Sequence, residues 1–172
     1  LTYRISGNYR NVQGIAKTTG FNRVNCRVNL QQRGLNDKLK VTLNLATTTE
    51  DANLGHTDAF KYATIFNPTA PFIRDQGNQD FAQWDGYYQR VVFDLFNPVA
   101  IIEQNLNLAK KKTVIANVRG DYDLTNDLKV GLFYSQQRSN RTHRQHYAEA
   151  SDWPRNITSR AIQRNDERED QL

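Results

Sequence analysis

The stretch FNRVNCRVNLQQRGLNDKLKVTLNLA, residues 21–46, decides the fold. Val24, Cys26, Val28 and Leu30 alternate with Arg23, Asn25, Arg27, Asn29 and Gln31. After Gly34-Leu35-Asn36-Asp37-Lys38 the alternation resumes, with Leu39, Val41, Leu43 and Leu45 set against Lys40, Thr42, Asn44 and Ala46. Side chains on a strand point to opposite faces in turn, so the pattern predicts two strands, each with one apolar and one polar face. A tight polar turn joins them.

Working outward, the same pattern recurs three times. Tyr3, Ile5, Gly7 and Tyr9 alternate with Thr2, Arg4, Ser6, Asn8 and Arg10. Val114, Ala116, Val118, Gly120 and Tyr122 stand against Asn117, Arg119, Asp121 and Asp123. Leu128, Val130, Leu132 and Tyr134 stand against Lys129, Gly131 and Ser135, with Phe133 an exception. The expected strands are therefore 2–10, 22–32, 39–47, 113–123 and 128–137, with a long loop over 48–112. These segments run to roughly 9–12 residues, the length a tilted membrane strand needs and longer than the usual soluble strand of about five or six.

Two architectures produce such alternation. In a soluble sandwich the apolar face packs inward and the polar face meets water. In a transmembrane barrel the apolar face meets lipid and the polar face lines the lumen. The connections favour the barrel. Residues 34–38 and 124–127 are tight turns on one side, whereas 11–20 and 48–112 are long links on the other, and a sandwich rarely carries so long a structureless stretch. Tyr3, Tyr9, Tyr122 and Tyr134 fall near strand ends, where an aromatic girdle would stand. The expected fold class is all-β, an antiparallel transmembrane β-barrel, partial, with about five strands plus long extracellular loops. Five strands cannot close, since the smallest bacterial barrels have about eight. The chain is thus expected to be a section of a longer protein, and the absence of methionine and the abrupt ends at Leu1 and Leu172 agree.

Composition narrows the function classes. The 172 residues are 38% hydrophobic and 24% charged, with a net charge of +5. No run approaches the length of a transmembrane helix. Cys26 is the sole cysteine, which excludes an intrachain disulfide and a cysteine zinc cluster. His56, His143 and His146 read as solvated loop histidines, the last two beside Arg141 and Arg144, so no metal site is expected. Lys and Arg are spread along the chain and no nucleic-acid-binding motif accompanies them, so no nucleic-acid partner is expected. Asp121 and Asp123 share a strand face, but no aromatic platform adjoins them in sequence. No nucleophile elbow and no Gly-rich phosphate loop occur either. No catalytic residues, enzymatic activity or cofactors are expected.

The long loop holds the remaining signals. Thr57–Phe66 can form a short helix capped by Thr57 or Asp58, stopped by Asn67-Pro68-Thr69-Ala70-Pro71. Downstream come WDGYYQR (84–90), FDLF (93–96) and FNPVAIIEQN (96–105), preceded by DAFKYATIFNPTAP (58–71). Together with YRISGNYRNVQGI (3–15), the 21–46 stretch and DYDLTNDLKVGLFYSQQRSNR (121–141), this run resembles the SusC-like TonB-dependent transporters of Bacteroidota outer membranes, over roughly residues 1–140. The tail HYAEASDWPRNITSRAIQRNDERED (146–170) reads as another loop.

The resemblance implies a multi-pass cell outer-membrane location and a barrel of about 22 strands, filled by a plug. It implies a SusD-like surface lipoprotein as a partner, TonB acting through a plug region that this chain lacks, outer-membrane lipid around the barrel, and import of oligosaccharide or peptide cargo. Cys26 departs from the family at a presumed lipid-facing position. In this reading Arg4, Arg23, Asn25, Arg27 and Arg119 face the lumen, where salt bridges and hydrogen bonds to the plug are their main expected role. Lys110-Lys111-Lys112, just before the fourth expected strand, reads either as a run at the lipopolysaccharide level or as a solvated strand end, and the solvated end is the expectation. Trp84, Tyr87, Tyr88, Phe93 and Phe96 form an aromatic segment able to stack on sugars or accept peptide side chains, or to pack as a loop core. The competing function is a soluble carbohydrate-binding β module that uses the same aromatic loop.

Overall fold

Six strands form one antiparallel sheet in the computed structural model, which describes residues 1–72, 74–90, 92–125, 127–153 and 162–171. They are β1 Thr2–Gln13, β2 Gly20–Gly34, β3 Leu39–Asn53, β4 Leu106–Asp123, β5 Lys129–His146 and β6 Ile162–Gln171. Their order in the sheet is their order in the chain, and the sheet is open between β1 and β6. Helix α1 Asp58–Ile65, a 3₁₀ helix Gln79–Trp84 and helix α2 Pro98–Gln104 all lie in the β3–β4 connection.

The expected all-β class and the five strand cores stand, but the strands are longer than their alternation. β3 runs on to Asn53 and β4 starts at Leu106, so the long loop is 54–105 rather than 48–112. Lys110, Lys111 and Lys112 are not a solvated strand end; they lie within β4, opposite Asp51, Glu50 and Thr49. β5 continues to His146, and the tail read as loop contributes β6. The reason is common to all of these. Alternation marks a strand only where one face is apolar over several turns of the pattern; these extensions are mostly polar, and the short alternation of Leu106 and Leu108 stops at the lysines.

Direct cross-strand partners share a face, so the register sorts the side chains. Tyr3, Leu30, Leu43, Val118 and Tyr134 form one row of the apolar face. Ile5, Val28, Leu45, Ala116 and Gln136 form the next. The apolar patch is bounded obliquely. Its upper edge runs from Tyr9 in β1 and Val24 in β2 to Leu45 in β3, Val114 in β4 and Tyr134 in β5. Tyr134 lies in the row of Tyr3, below that of Tyr9. The lower edge falls the same way, from Tyr3 and Leu30 to Leu39 and Tyr122. The upper edge drops about 20 Å along the strands over four inter-strand spacings of about 4.8 Å, a slope of about 45°.

No layer of described residues packs on this patch: Ile5 is 66% and Leu132 78% exposed. The buried apolar cluster is elsewhere, formed by Ala59, Tyr62, Phe96 and Ile101 in the β3–β4 connection, with Ile102 and Trp153 against it. At the opposite end the two short turns touch, the Asp123 N–H donating to the Lys38 carbonyl at 2.8 Å. The first turn places Leu35, Asn36 and Asp37 consecutively at φ 53°, 57° and 65°. Asn and Asp tolerate this left-handed conformation; leucine pays about 1 kcal/mol or more for it. Leu35→Gly is therefore expected to stabilise the fold by about 1 kcal/mol and Leu35→Val to destabilise it, read as opposite shifts of the denaturation midpoint.

Candidate functional site

At the long-connection end, the 54–105 segment, the β1–β2 loop and residues 147–153 join into a cap. Its organiser is Asn97, 1% exposed. The Asn97 Oδ1 accepts from the N–H groups of Val99 and Ala100, at 2.9 and 3.3 Å, and caps α2, while Pro98 supplies a first-turn residue that needs no donor. Its Nδ2 donates to the Tyr88 carbonyl at 2.9 Å, and its own N–H donates to Gln89 Oε1 at 2.8 Å. The expected helix is present as α1, but the Thr57 side chain makes no capping bond.

At the far end of α2, the buried Asn105 donates from Nδ2 to the Ile101 carbonyl and Ser151 Oγ, and accepts from the Ala148 N–H. Gln104 donates to the Trp84 carbonyl at 2.9 Å. Glu103 ties three segments together by accepting from Lys17 of the β1–β2 loop and from the Tyr87 hydroxyl. Burial works to raise the Glu103 carboxyl, yet these two donors hold it below its ordinary range. Burial and the bond to Glu103 push the Tyr87 hydroxyl well up. A second anchor is Asp94, which accepts from Lys61 Nζ at 2.8 Å and the Tyr62 hydroxyl at 2.7 Å. Those bonds hold its carboxyl low.

The five aromatic residues do not form one platform. Tyr87 and Phe96 are buried, and Phe96 meets Tyr62 edge-on at 5.1 Å. Tyr88 packs edge-on against Phe81 at 5.4 Å and Phe66 at 6.3 Å. Trp84, Tyr87 and Phe96 line a crevice with Trp153 that is too small for a ligand. Phe93, 93% exposed, stands apart from them. Tyr87, Tyr88 and Phe96 thus pack within the cap, and Phe93 does not.

The five residues expected to face a lumen do share the polar face of the sheet. Ser6–Arg27, Asn8–Asn25, Arg10–Arg23 and Arg4–Asn29 are successive pairs, and Arg119 lies opposite Thr42 on the same side. Arg23 Nε bonds Glu50 at 2.7 Å, and its guanidinium lies over Phe21. Arg119 holds both Asp121 oxygens at 3.0 Å, and Lys129 lies 3.2 Å from Asp123, so a cation occupies each member of the carboxylate pair.

The histidines are not solvated loop residues. His143 and His146 lie in β5, half-buried, and His143 Nε2 is 2.6 Å from Asn107 Oδ1. His56 is buried, stacked edge-on against Trp153 at 5.0 Å and near Tyr147 at 5.7 Å, with Nε2 lacking a partner among the described residues. Burial lowers its pKa, outweighing the pull of Asp58 and a backbone bond to Leu106. Sequence spacing missed His56 because its ring partners are remote in the chain. It missed Asn97 less excusably, since an Asn directly before Pro98 is a capping signal. Among the described residues no group of His, Cys, Asp and Glu could hold a metal ion.

No protein-family model matches the chain, and no curated protein matches it in sequence.

Two outcomes follow from the cap. Asn97→Ala leaves two helix N–H groups and a carbonyl unpaired, and is expected to cost about 2–3 kcal/mol, exposing 54–105 to limited proteolysis before the strands. The folded pKa of His56 lies below its unfolded value near 6.5, so the cap is fully stabilised above that pH and loses stability as pH falls through and below it. Proteolysis of 54–105 should quicken between pH 7.5 and 5.5, and His56→Phe should flatten that dependence.

Proposed function

We propose that the chain is a section of the β-barrel of a SusC-like TonB-dependent transporter in a bacterial outer membrane, importing oligosaccharide or peptide oligomers. The observation that carries this reading is the oblique apolar patch with none of the described residues packed against it. A soluble protein rarely leaves so large a contiguous apolar surface in water, whereas lipid is its natural cover. A membrane plane crosses tilted strands obliquely to their ladder, and a patch slope of about 45° agrees with a barrel tilt of about 35–45°. All four tyrosines read as a girdle mark the patch's edges: Tyr9 and Tyr134 above, Tyr3 and Tyr122 below.

The division of connections agrees. The short turns at 35–38 and 124–128 would face the periplasm, and the cap would stand outside. The polar face, carrying Arg4, Arg23, Asn25, Arg27 and Arg119 among many amides and hydroxyls, would line the lumen around a plug that TonB pulls. A SusD-like lipoprotein would close the outer mouth. The competing module reading places its ligand on the aromatic segment, where Phe96 packs on Tyr62, Tyr88 on Phe81 and Phe66, and Tyr87 is buried.

Leu43 lies in mid-patch and Asn44 beside it on the polar face. In the complete polypeptide that carries this sequence, Leu43→Arg is expected to cost about 2–4 kcal/mol and to deplete the outer-membrane fraction, while Asn44→Arg is tolerated. Equal recovery of both in the membrane, or recovery of the wild-type polypeptide in a soluble fraction, overturns the reading.

A further inference from the structure

On the polar face of the sheet two adjoining hollows, of about 380 Å³ and about 300 Å³, share Arg27 and Ala46. These two residues are direct partners across β2 and β3, and Ile115 follows in the same row on β4. The methyl group of Ala46, between the longer Arg27 and Ile115, leaves room on either side. The first hollow adds Ser6, Asn8, Asn25 and Thr48, and the second Asn29, Asn44 and Asn117. Each has the size of a small-ligand pocket. Asn8 and Asn25 adjoin Tyr9 and Val24 in the chain, and Ala46 adjoins Leu45, the residues that bound the apolar patch above on the other face. The first hollow is therefore level with the upper edge of the patch, and the second lies below it.

Three consecutive rows of this face, those of Asn25, Arg27 and Asn29, meet in the hollows. From β1 to β5 these rows carry two arginines, Arg4 and Arg27, and no carboxylate. Apart from Ala46 and Ile115, every other position in them is an amide or a hydroxyl. Other cations of the face are matched, Arg23 by Glu50 and Arg119 by Asp121. Arg27 is exposed and has no ion pair among the described residues, and the amides of Asn8, Asn25, Asn29 and Asn44 have no side-chain hydrogen bond among them. An amide donates and accepts, as a sugar hydroxyl does, and the guanidinium fork matches a carboxylate or sulfate group. A peptide would need pockets for apolar side chains, and here Ile115 and Ala46 are the apolar positions.

We propose that the paired hollows bind neighbouring units of an acidic oligosaccharide, with Arg27 holding a carboxylate or sulfate group between them and the asparagines holding ring hydroxyls. The proposal rests on the transporter reading and names the class of its cargo. In that reading the hollows lie on the lumen wall near its outer end. Recognition of this kind is electrostatic and weakens with salt.

The test uses the complete polypeptide that carries this sequence, extracted from the outer membrane in detergent, with affinities read by titration calorimetry. The acidic probes are oligogalacturonate and chondroitin sulfate oligosaccharides; their neutral counterparts have methyl-esterified carboxylates and no sulfate. Chondroitin lacking only its sulfates separates the two anions. Wild type should bind at least one acidic probe about tenfold more tightly than its neutral counterpart, and the preference should fade at high salt. Arg27→Gln should lower affinity for that acidic probe about tenfold and for the neutral one far less, with Arg27→Lys between. Lys112→Gln, the same charge change on the opposite face, should not alter the preference. Ala46→Leu, which fills the space between the hollows, should weaken both probes.

No binding of any acidic probe, equal affinity for acidic and neutral probes, or a preference that survives Arg27→Gln overturns the proposal and leaves the transporter reading standing. A lower denaturation midpoint for Arg27→Gln with the preference intact does the same, since it marks an arginine paired inside the protein. Tighter binding of oligo-aspartate also overturns it, in favour of a peptide cargo. A polypeptide absent from the outer-membrane fraction overturns both readings.

Discussion

A slip of one residue between β2 and β3 would turn Leu43 and Leu45 to the polar face and bring Thr42 and Asn44 to the apolar one. Side-chain period two makes register an all-or-nothing property, and among the described residues no buried core enforces it from either side of this sheet. What enforces it is the turn at 35–38, the second turn docked against it through Asp123 and Lys38, and the agreement of neighbouring strands on a single apolar surface. The oblique outline of that surface exists only because the register is kept across β1 to β5.

The cap obeys a different economy. Its apolar cluster is small, and polar side chains do the joining: Asn97 and Asn105 at the two ends of α2, Glu103 between Lys17 and Tyr87, Asp94 between Lys61 and Tyr62. Each buried amide is satisfied by backbone groups that would otherwise be orphaned, which fixes irregular chain in one conformation. His56 is the exception: among the described residues its Nε2 has no partner beside Trp153 and Tyr147.

Much of the sheet was legible in the sequence, and the boundary of legibility has a physical cause. Val24 to Leu30 and Leu39 to Leu45 announce strands because their two faces meet different surroundings. Thr47 to Asn53 and Arg164 to Asp170 are almost wholly polar, and in Leu106 to Lys112 the alternation of Leu106 and Leu108 is cut off by three lysines, so no sustained period marks them. Tyr87 and Phe96 were visible as an aromatic segment, but their burial depends on Tyr62 and Glu103, which no local pattern connects to them. The polar-face placement of Arg4, Arg23, Asn25, Arg27 and Arg119 was legible from parity alone; the pairing of Arg23 with Glu50 and Arg119 with Asp121 needed the register.

The separation of β3 from β4 in the chain has a kinetic consequence. The link expected over 11–20 is only 14–19, so β1, β2 and β3 are joined by short connections, as are β4 and β5, and each group assembles through local contacts at small chain-entropy cost. Bringing Leu39 opposite Tyr122 instead requires the ends of the 54–105 segment to meet, the longest closure among the described connections. The cap lies within that segment, and the bond from the Leu54 N–H to the Asn107 carbonyl extends the β3–β4 ladder into it. Forming the cap first would shorten the effective loop and hasten the joining of the two halves, making this irregular region an intramolecular fastener for the sheet.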